Sequence, residues 1–229
     1  MKRLVVFTGA GISQESGLQT FRDTDGLWEQ YPIEEVATIE AWHKNPALVL
    51  EFYNKRRVAA MEAEPNAAHF ELADLQKQFE VFIITQNIDT LHERAGSTNV
   101  IHLHGRIDTA KSSVTGEKIF VGKNNIEMGE LCSQGHQIRP DIVWFGEDVP
   151  NMERAIDIAS TADLFAVIGT SLKVYPAAGL IHYVPEKASK YLIDPNLEKV
   201  SNVKNLLVIN EKATIGTPMM AKSLREKYG

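Results

Sequence analysis

A single cysteine, Cys132, stands among the 229 residues, so no intramolecular disulfide can form and no cysteine cluster can hold a metal ion. No apolar run approaches the length needed to cross a bilayer. Met1-Lys2-Arg3 passes straight into the first apolar stretch, which leaves no room for a secretory leader. A basic surplus is missing too: 24 Lys and Arg stand against 30 Asp and Glu, for a formal net charge of -6. That balance argues against nucleic acid as the main ligand and is compatible with a basic protein tail. Internal repeats and low-complexity tracts are lacking. These absences point to a cytoplasmic protein with no membrane or nucleic-acid partner. The length fits one domain, or one domain carrying a smaller insertion, with ample residues for a core.

The most informative stretch is Leu4 to Arg22, LVVFTGAGISQESGLQTFR. Leu4 to Phe7 form a short buried-strand run, Gly9-Ala10-Gly11 follow, and Ser13 to Ser16 have the composition of a helix first turn. Such a bend between strand and helix brings backbone N–H groups close to a phosphate. The ordinary dinucleotide fingerprint would place its third glycine at position 14, which here is Gln14. The loop therefore reads as a phosphate cradle or a structural tight turn, and not as that of a standard hydride-transfer enzyme.

Further along, Pro46 opens a helix running to about Ala63, and Asn66 caps another from Ala67 to Gln78 with Phe70, Leu72 and Leu75 expected inside. Val81–Ile84, Val100–Leu103, Ile142–Phe145, Leu164–Ile168, Tyr191–Ile193 and Leu206–Ile209 read as strands. Helices are expected at Leu91–Ala95, Met152–Ala159, Ala177–Tyr183 and Thr217–Tyr228. The polar segment from Arg106 to about Arg139 reads as a small β-rich excursion. Short apolar strands alternating with helices imply an α/β fold, a parallel sheet covered on both faces. Polar clusters then gather where strands end: Gly9-Ala10-Gly11, Gln86-Asn87-Asp89, His104, Gly169-Thr170-Ser171 and Asp194-Asn196. That edge is where open α/β sheets bind ligands.

Taken singly, these residues allow plain readings. His104 is a loop histidine or a general base, and His102, on the strand opposite in sense to Leu103, serves as its control. Asp89 is a good cap for a helix starting at Thr90. Tyr53 and Arg56, three apart, read most simply as a solvated helix face. Cys132 and His136 have a spacing that two metal ligands could use, yet a small buried thiol is the simpler reading.

Taken together, GAGISQESGLQTFR, TQNID, LHG, VWFGE and GTSLKVYP resemble the sirtuins, the NAD-dependent protein-lysine deacylases, in order over almost the whole chain. The resemblance implies a Rossmann-like core (about 1–24, 67–105 and 141–229) and a smaller module (about 25–66 and 106–140). It implies NAD as cofactor, with Gly9, Ala10, Gly11, Ser13 and Glu15 in its loop and Phe21 and Arg22 on a neighbouring mobile segment. Gln86 would meet the nicotinamide ribose, and Asn87 and Asp89 the nicotinamide pocket. His104 would be the catalytic histidine. Gly169, Thr170, Ser171, Asp194, Asn196 and Ala213 would serve the adenosine half. Val143, Phe145, Gly146 and Glu147 would pair with the substrate backbone. Tyr53 and Arg56 match the branch that removes acidic acyl groups such as succinyl and malonyl, where a guanidinium and a phenol bind a distal carboxylate, and Ala37 widens the acyl pocket. The products implied are free lysine, nicotinamide and O-acyl-ADP-ribose. The partners expected are acylated lysine side chains of proteins, and the expected state is a monomer. The family's four-cysteine zinc site has no counterpart here, so no metal is expected and the insertion should be held by its own packing. A general deacetylase, an ADP-ribosyltransferase and a catalytically decayed NAD-binding module stay open as alternatives.

Overall fold

The computed structural model describes residues 1–19, 31–170, 177–196 and 203–229. Strand β1 (Arg3–Thr8) lies at the centre of a parallel sheet, with β2 (Glu80–Thr85) and β3 (Val100–His102) on one side. On its other side run β7 (Leu164–Ile168), β8 (Ser189–Ile193) and β9 (Leu206–Ile209), giving the order β3-β2-β1-β7-β8-β9. The apolar residues of β1 explain its place. Leu4, Val5, Val6 and Phe7 are all fully buried, which only an inner strand covered on both faces allows. Leu4 and Val6 join a core with Leu72, Leu75, Met220 and Leu224, while Val5 and Phe7 join another with Ala155, Ala159, Leu180 and Ile181. Burying each such side chain contributes roughly 2 kcal/mol.

The first core is roofed by α5 (Ala67–Leu75) and α8 (Ala213–Tyr228), the second by α7 (Met152–Ser160) and a 3-10 helix over Ala177–Tyr183. Three expectations need correction. Phe70 is 53% exposed, because the buried face of α5 is Ala68, His69, Leu72 and Leu75 and Phe70 falls on the far side of the helical period. That helix also ends at Leu75, with turns in place of its last residues. Conversely, α8 starts four residues before Thr217 and runs through Pro218. Its first turn is capped from a distance, since Thr214 donates from both N and Oγ1 to the Glu15 carboxylate.

The smaller module combines α2 (Ile33–Val36), α3 (Ile39–Lys44) and α4 (Pro46–Glu62) with an antiparallel sheet of β4 (Gly105–Ser112), β5 (Lys118–Phe120) and β6 (Ile138–Ile142). The helices and the sheet share one core, in which Val49, Phe52 and Tyr53 meet Ile107, Ile138 and Trp144. Polar clasps reinforce it. Arg57, fully buried, donates from Nε to the Ile107 carbonyl (2.8 Å) and from Nη1 to Asn54 Oδ1 (2.6 Å). Asn54 in turn holds both the N–H and the carbonyl of Ile126. Burial pushes the Arg57 guanidinium down to about 10. Strand β6 ends at Ile142, so Val143 and Trp144 lie past the sheet and Phe145 makes only an isolated bridge with Thr38.

Candidate functional site

The strand order reverses direction between β1 and β7, and the glycine bend sits over that switch point, where α/β sheets open their ligand crevice. Gly9 N donates to the Ile168 carbonyl (3.1 Å) and Gly11 N to the Gly169 carbonyl (2.8 Å). A Cβ on Gly11 would lie 2.8 Å from the Gly169 Cα, and Gly169 itself has φ +62°. The glycines therefore serve backbone-to-backbone contact between two strand ends. Ala10 caps the short helix α1 (Gly11–Gln14), which turns the Ser13 side chain inward.

Ser13 Oγ donates to Asp89 Oδ2 (3.0 Å) and accepts from Asn87 Nδ2 (3.0 Å), and the Asn87 amide also reaches the Gly9 carbonyl (3.2 Å). Gln86 Nε2 donates to Thr170 Oγ1 at 3.1 Å. Glycine bend, amide loop and the end of β7 thus form one connected polar floor. Asp89 Oδ1 accepts from Leu91 N (3.1 Å), the first residue of the short helix α6 (Leu91–Arg94), whose N-cap position is Thr90 and not Asp89 as expected, while its other oxygen faces Ser13. Burial raises the Asp89 carboxyl, and the Leu91 and Ser13 hydrogen bonds oppose that only in part.

The loop from Gln86 to Asp89 is pinned through three successive carbonyls. His104 Nδ1 lies 3.0 Å from the Gln86 oxygen, His102 Nδ1 lies 2.9 Å from the Asn87 oxygen, and Ile107 N donates to the Ile88 oxygen at 2.8 Å. A carbonyl only accepts, so Nδ1 of His104 carries the hydrogen and Nε2 keeps its lone pair. Burial lowers the pKa of His104, with the Gln86 bond working the other way. The result is a half-buried neutral imidazole held on the loop that also carries a buried amide and a buried carboxyl, an arrangement that can accept a proton from a bound hydroxyl. The contribution of His102 was not visible from its sequence reading as a control. Strand β3 ends at His102, so the strand period did not reach His104, and only the hydrogen bonds to successive loop carbonyls show that both rings serve the same loop.

A second cluster lies in the smaller module. Tyr53 is 3% exposed, which corrects its plain reading as a solvated residue. Its hydroxyl oxygen accepts from Trp144 Nε1 at 3.0 Å, leaving the phenolic hydrogen to be donated, and burial raises its pKa to about 12. Burial lowers the Arg56 guanidinium, while the fields of Tyr53 and Asp89 favour its charge, linking this cluster to the amide loop. Ala37 is buried and its carbonyl accepts from Phe145 N (3.0 Å). Val143 N donates to the His104 carbonyl, Trp144 N to Glu147 Oε2, and Glu147 N to the Trp144 carbonyl. The segment from Val143 to Glu147 therefore uses these amides within the chain. Gly146 turns it with φ +90°, and the Glu147 carboxylate also binds Arg139, whose guanidinium lies over the Trp144 ring.

Of the residues expected at the adenosine half, Gly169 and Thr170 follow β7, Asp194 and Asn196 follow β8, and Ala213 follows β9. Asp194 Oδ1 accepts from Asn196 N (2.8 Å), and Ala213 is buried at the start of α8. Glu15 joins the loop to that helix through Thr214 and spends its carboxylate there. Phe21, Arg22 and Ser171 lie outside the described residues. Among the described residues no group of three or more His, Cys, Asp or Glu is placed to hold a metal ion. Cys132 is buried, its thiol donating to Ser112 Oγ and its N–H to the His136 carbonyl, so the Cys-His spacing belongs to a turn and does not fit a zinc site. No helix among the described residues is long and apolar enough to cross a membrane.

Fold and site together define a Rossmann-like protein with a buried amide and carboxyl and a half-buried imidazole where its strands end. A family model described as Sir2 family matches residues 9–176, and the chain belongs to that family, the sirtuins. A relative from Bacteroides thetaiotaomicron, named NAD-dependent protein deacylase, is 47% identical over 230 residues, covering 98% of this chain and 98% of its own. One from Helicobacter pylori with the same name is 48% identical over 213 residues, 93% of each chain. Among solved structures, a Sir2 homolog–NAD complex is similar with TM-score 0.89 at 36% identity, covering 100% of this chain and 91% of that one. A Sir2 homologue mutant in complex with 2′-O-acetyl ADP ribose gives 0.89 at 35% identity, covering 100% and 94%.

Proposed function

We propose that this chain is an NAD-dependent protein-lysine deacylase that favours acidic acyl groups, and that it works as a monomer in the cytoplasm. The observation that carries the reading is the His104 ring, held through Nδ1 on the Gln86 carbonyl beside Asn87 and Asp89. The floor residues suit NAD chemically: amide and hydroxyl groups at the strand ends for carboxamide and ribose, and a bend followed by a helix start for the phosphates. Bound NAD supplies an electrophilic ribosyl carbon with nicotinamide as leaving group. Asn87 and Asp89, fixed by Ser13, hold the carboxamide. His104 Nε2 accepts the proton of a ribose hydroxyl, which frees that oxygen to take up the acyl group. With the acyl oxygen bonding the ribosyl carbon as nicotinamide leaves, and one water consumed, the products would be free lysine, nicotinamide and O-acyl-ADP-ribose.

The acyl chain enters through the second cluster. Tyr53 donates its phenolic hydrogen, and Arg56 offers charge-assisted bonds to a distal carboxylate. Ala37, with a single methyl, leaves room for the longer chain. The carbonyl oxygens of the Val143–Glu147 segment and its turn at Gly146 offer the pairing edge for the peptide backbone. The test compares kcat/KM on matched acetyl- and succinyl-lysine peptides for the wild type and Arg56→Met. A succinyl preference that collapses by about 100-fold in the variant, the loss of one buried charge-assisted contact, supports the acidic-acyl reading. Equal rates on both peptides, unmoved by the substitution, would make this a general deacetylase. Labelled ADP-ribose appearing on protein, with no free acyl product, would make it a transferase.

A further inference from the structure

Behind the amide loop lies a buried histidine, hydrogen-bonded to a carboxyl group, that the proposed chemistry does not use. His102 Nε2 lies 2.8 Å from Glu93 Oε1, while Nδ1 faces the Asn87 carbonyl. Its side chain is only 6% exposed. Both partners are acceptors, so a ring with one hydrogen could satisfy one of them alone. Burial works to raise Glu93, but the hydrogen bond from His102 and the charges of His102 and Arg106 prevail and hold it below the usual carboxylate range. The His102 ring therefore lies between two acceptors, the Glu93 carboxyl group and the Asn87 carbonyl.

The pair is itself anchored. Arg106 Nη1 donates to the same Glu93 oxygen (3.1 Å), and its Nε and Nη2 grip Asp108. Asn151 Nδ2 donates to the His102 carbonyl at 2.8 Å. The charged and titratable groups around the ring are thus Glu93 and His92 from α6, Arg106 and Asp108 from β4, and Asp89 from the loop. Of the three clamps on the loop, the His104 ring must be free to exchange protons and the Ile107 amide only fixes Ile88. The clamp at Asn87, the residue whose amide faces the bound carboxamide, is the one backed by a full charge.

We propose that Glu93 and His102 form a positioning pair, in which Glu93 orients the His102 ring through Nε2 and His102, through Nδ1, fixes the Asn87 backbone so that the Asn87 amide and Asp89 carboxyl meet the nicotinamide end of the substrate. This rests on the reading of Asn87 and Asp89 given above. His102 touches neither substrate nor cofactor; it acts through the loop.

The test uses the full chain with His102→Leu and His102→Gln, the latter keeping an amide that can donate to the Asn87 carbonyl. Expected for His102→Leu is a kcat loss of about 10- to 100-fold, the scale of a small misplacement at a reacting centre, with ADP-ribose affinity within about twofold of wild type. His102→Gln should regain most of the rate. Hydrogen exchange of amides 86–89 should quicken in His102→Leu and stay slow in His102→Gln, a readout that does not depend on turnover. If His102→Leu does not fold, Glu93→Gln carries the same expectations. Wild-type kcat and slow loop exchange in a folded His102→Leu would overturn the proposal, and so would equal losses in both His102 variants with ADP-ribose affinity falling in parallel. A wild type that removes no acyl group but shows the exchange response would sink the functional reading alone.

Discussion

His104 owes its tautomer to one backbone oxygen. Because the Gln86 carbonyl takes the Nδ1 hydrogen and burial disfavours the imidazolium, the ring stays neutral to a lower pH than a free histidine, whose ordinary value is 6.5. The acid limb of the kcat/KM profile should therefore fall below pH 6.5, and His104→Ala should abolish turnover while leaving ADP-ribose binding in place. Turnover that survives the substitution, or an acid limb above that value, would remove His104 from the role of base. The sequence showed this residue well, because a histidine at a strand end before a glycine is conspicuous. It concealed the partner that sets the proton, since Gln86 and His104 meet only through the pairing of neighbouring strands. Tyr53 was obscured in the opposite way: helical spacing gave its neighbours along α4, and only the packing of Trp144 from another part of the chain takes it out of water.

At the scale of elements, α5 shows how a local signal reaches the site. Asn66 caps the helix, accepting from Ala68 N while its own N–H donates to His69 Nδ1. Its side-chain Nδ2 then holds the Ile12 carbonyl and Ser16 Oγ, so the cap also steadies the glycine bend. His69 is fully buried against His92, with ring centroids 4.9 Å apart, and burial lowers it to about 4. The sign follows from linkage. The folded state keeps His69 neutral while the unfolded chain protonates it below pH 6.5, so its contribution is intact above pH 6.5 and is lost as pH falls toward 4. Over that window it amounts to about 3 kcal/mol. Urea midpoints should drop accordingly, and His69→Leu should flatten that part of the curve; an unchanged acid slope in the variant would show that other groups carry it. The capping residue was legible in sequence, whereas the buried histidine was not, since Phe70 offered the stronger hydrophobic signal one position on.

For the molecule as a whole, the strand runs fixed the parallel sheet and the break in rhythm after Arg106 marked the second, smaller sheet. What stayed hidden were the joins between distant segments: the shared core of the helical and β insertions, and the reach of Glu15 to Thr214, 199 positions away. Those joins predict the effect of shortening the chain. Met220, Ala221 and Leu224 are fully buried against the sheet, and Thr214 engages the carboxylate of the glycine loop. A chain ending at Asn210 should lose near-ultraviolet circular dichroism and ADP-ribose binding together; retention of either would show that the last helix is dispensable to the site.

That long reach also sets an order on synthesis. A ribosome makes the central strand and its loop well before β7, which closes the strand's open edge, and before the helix that engages Glu15. The polar floor begun at Gly9 is thus closed only by Gly169 and Thr170, far along the chain. The fully apolar run of Leu4 to Phe7 must wait, shielded by the ribosome or a chaperone, until β7 has been translated.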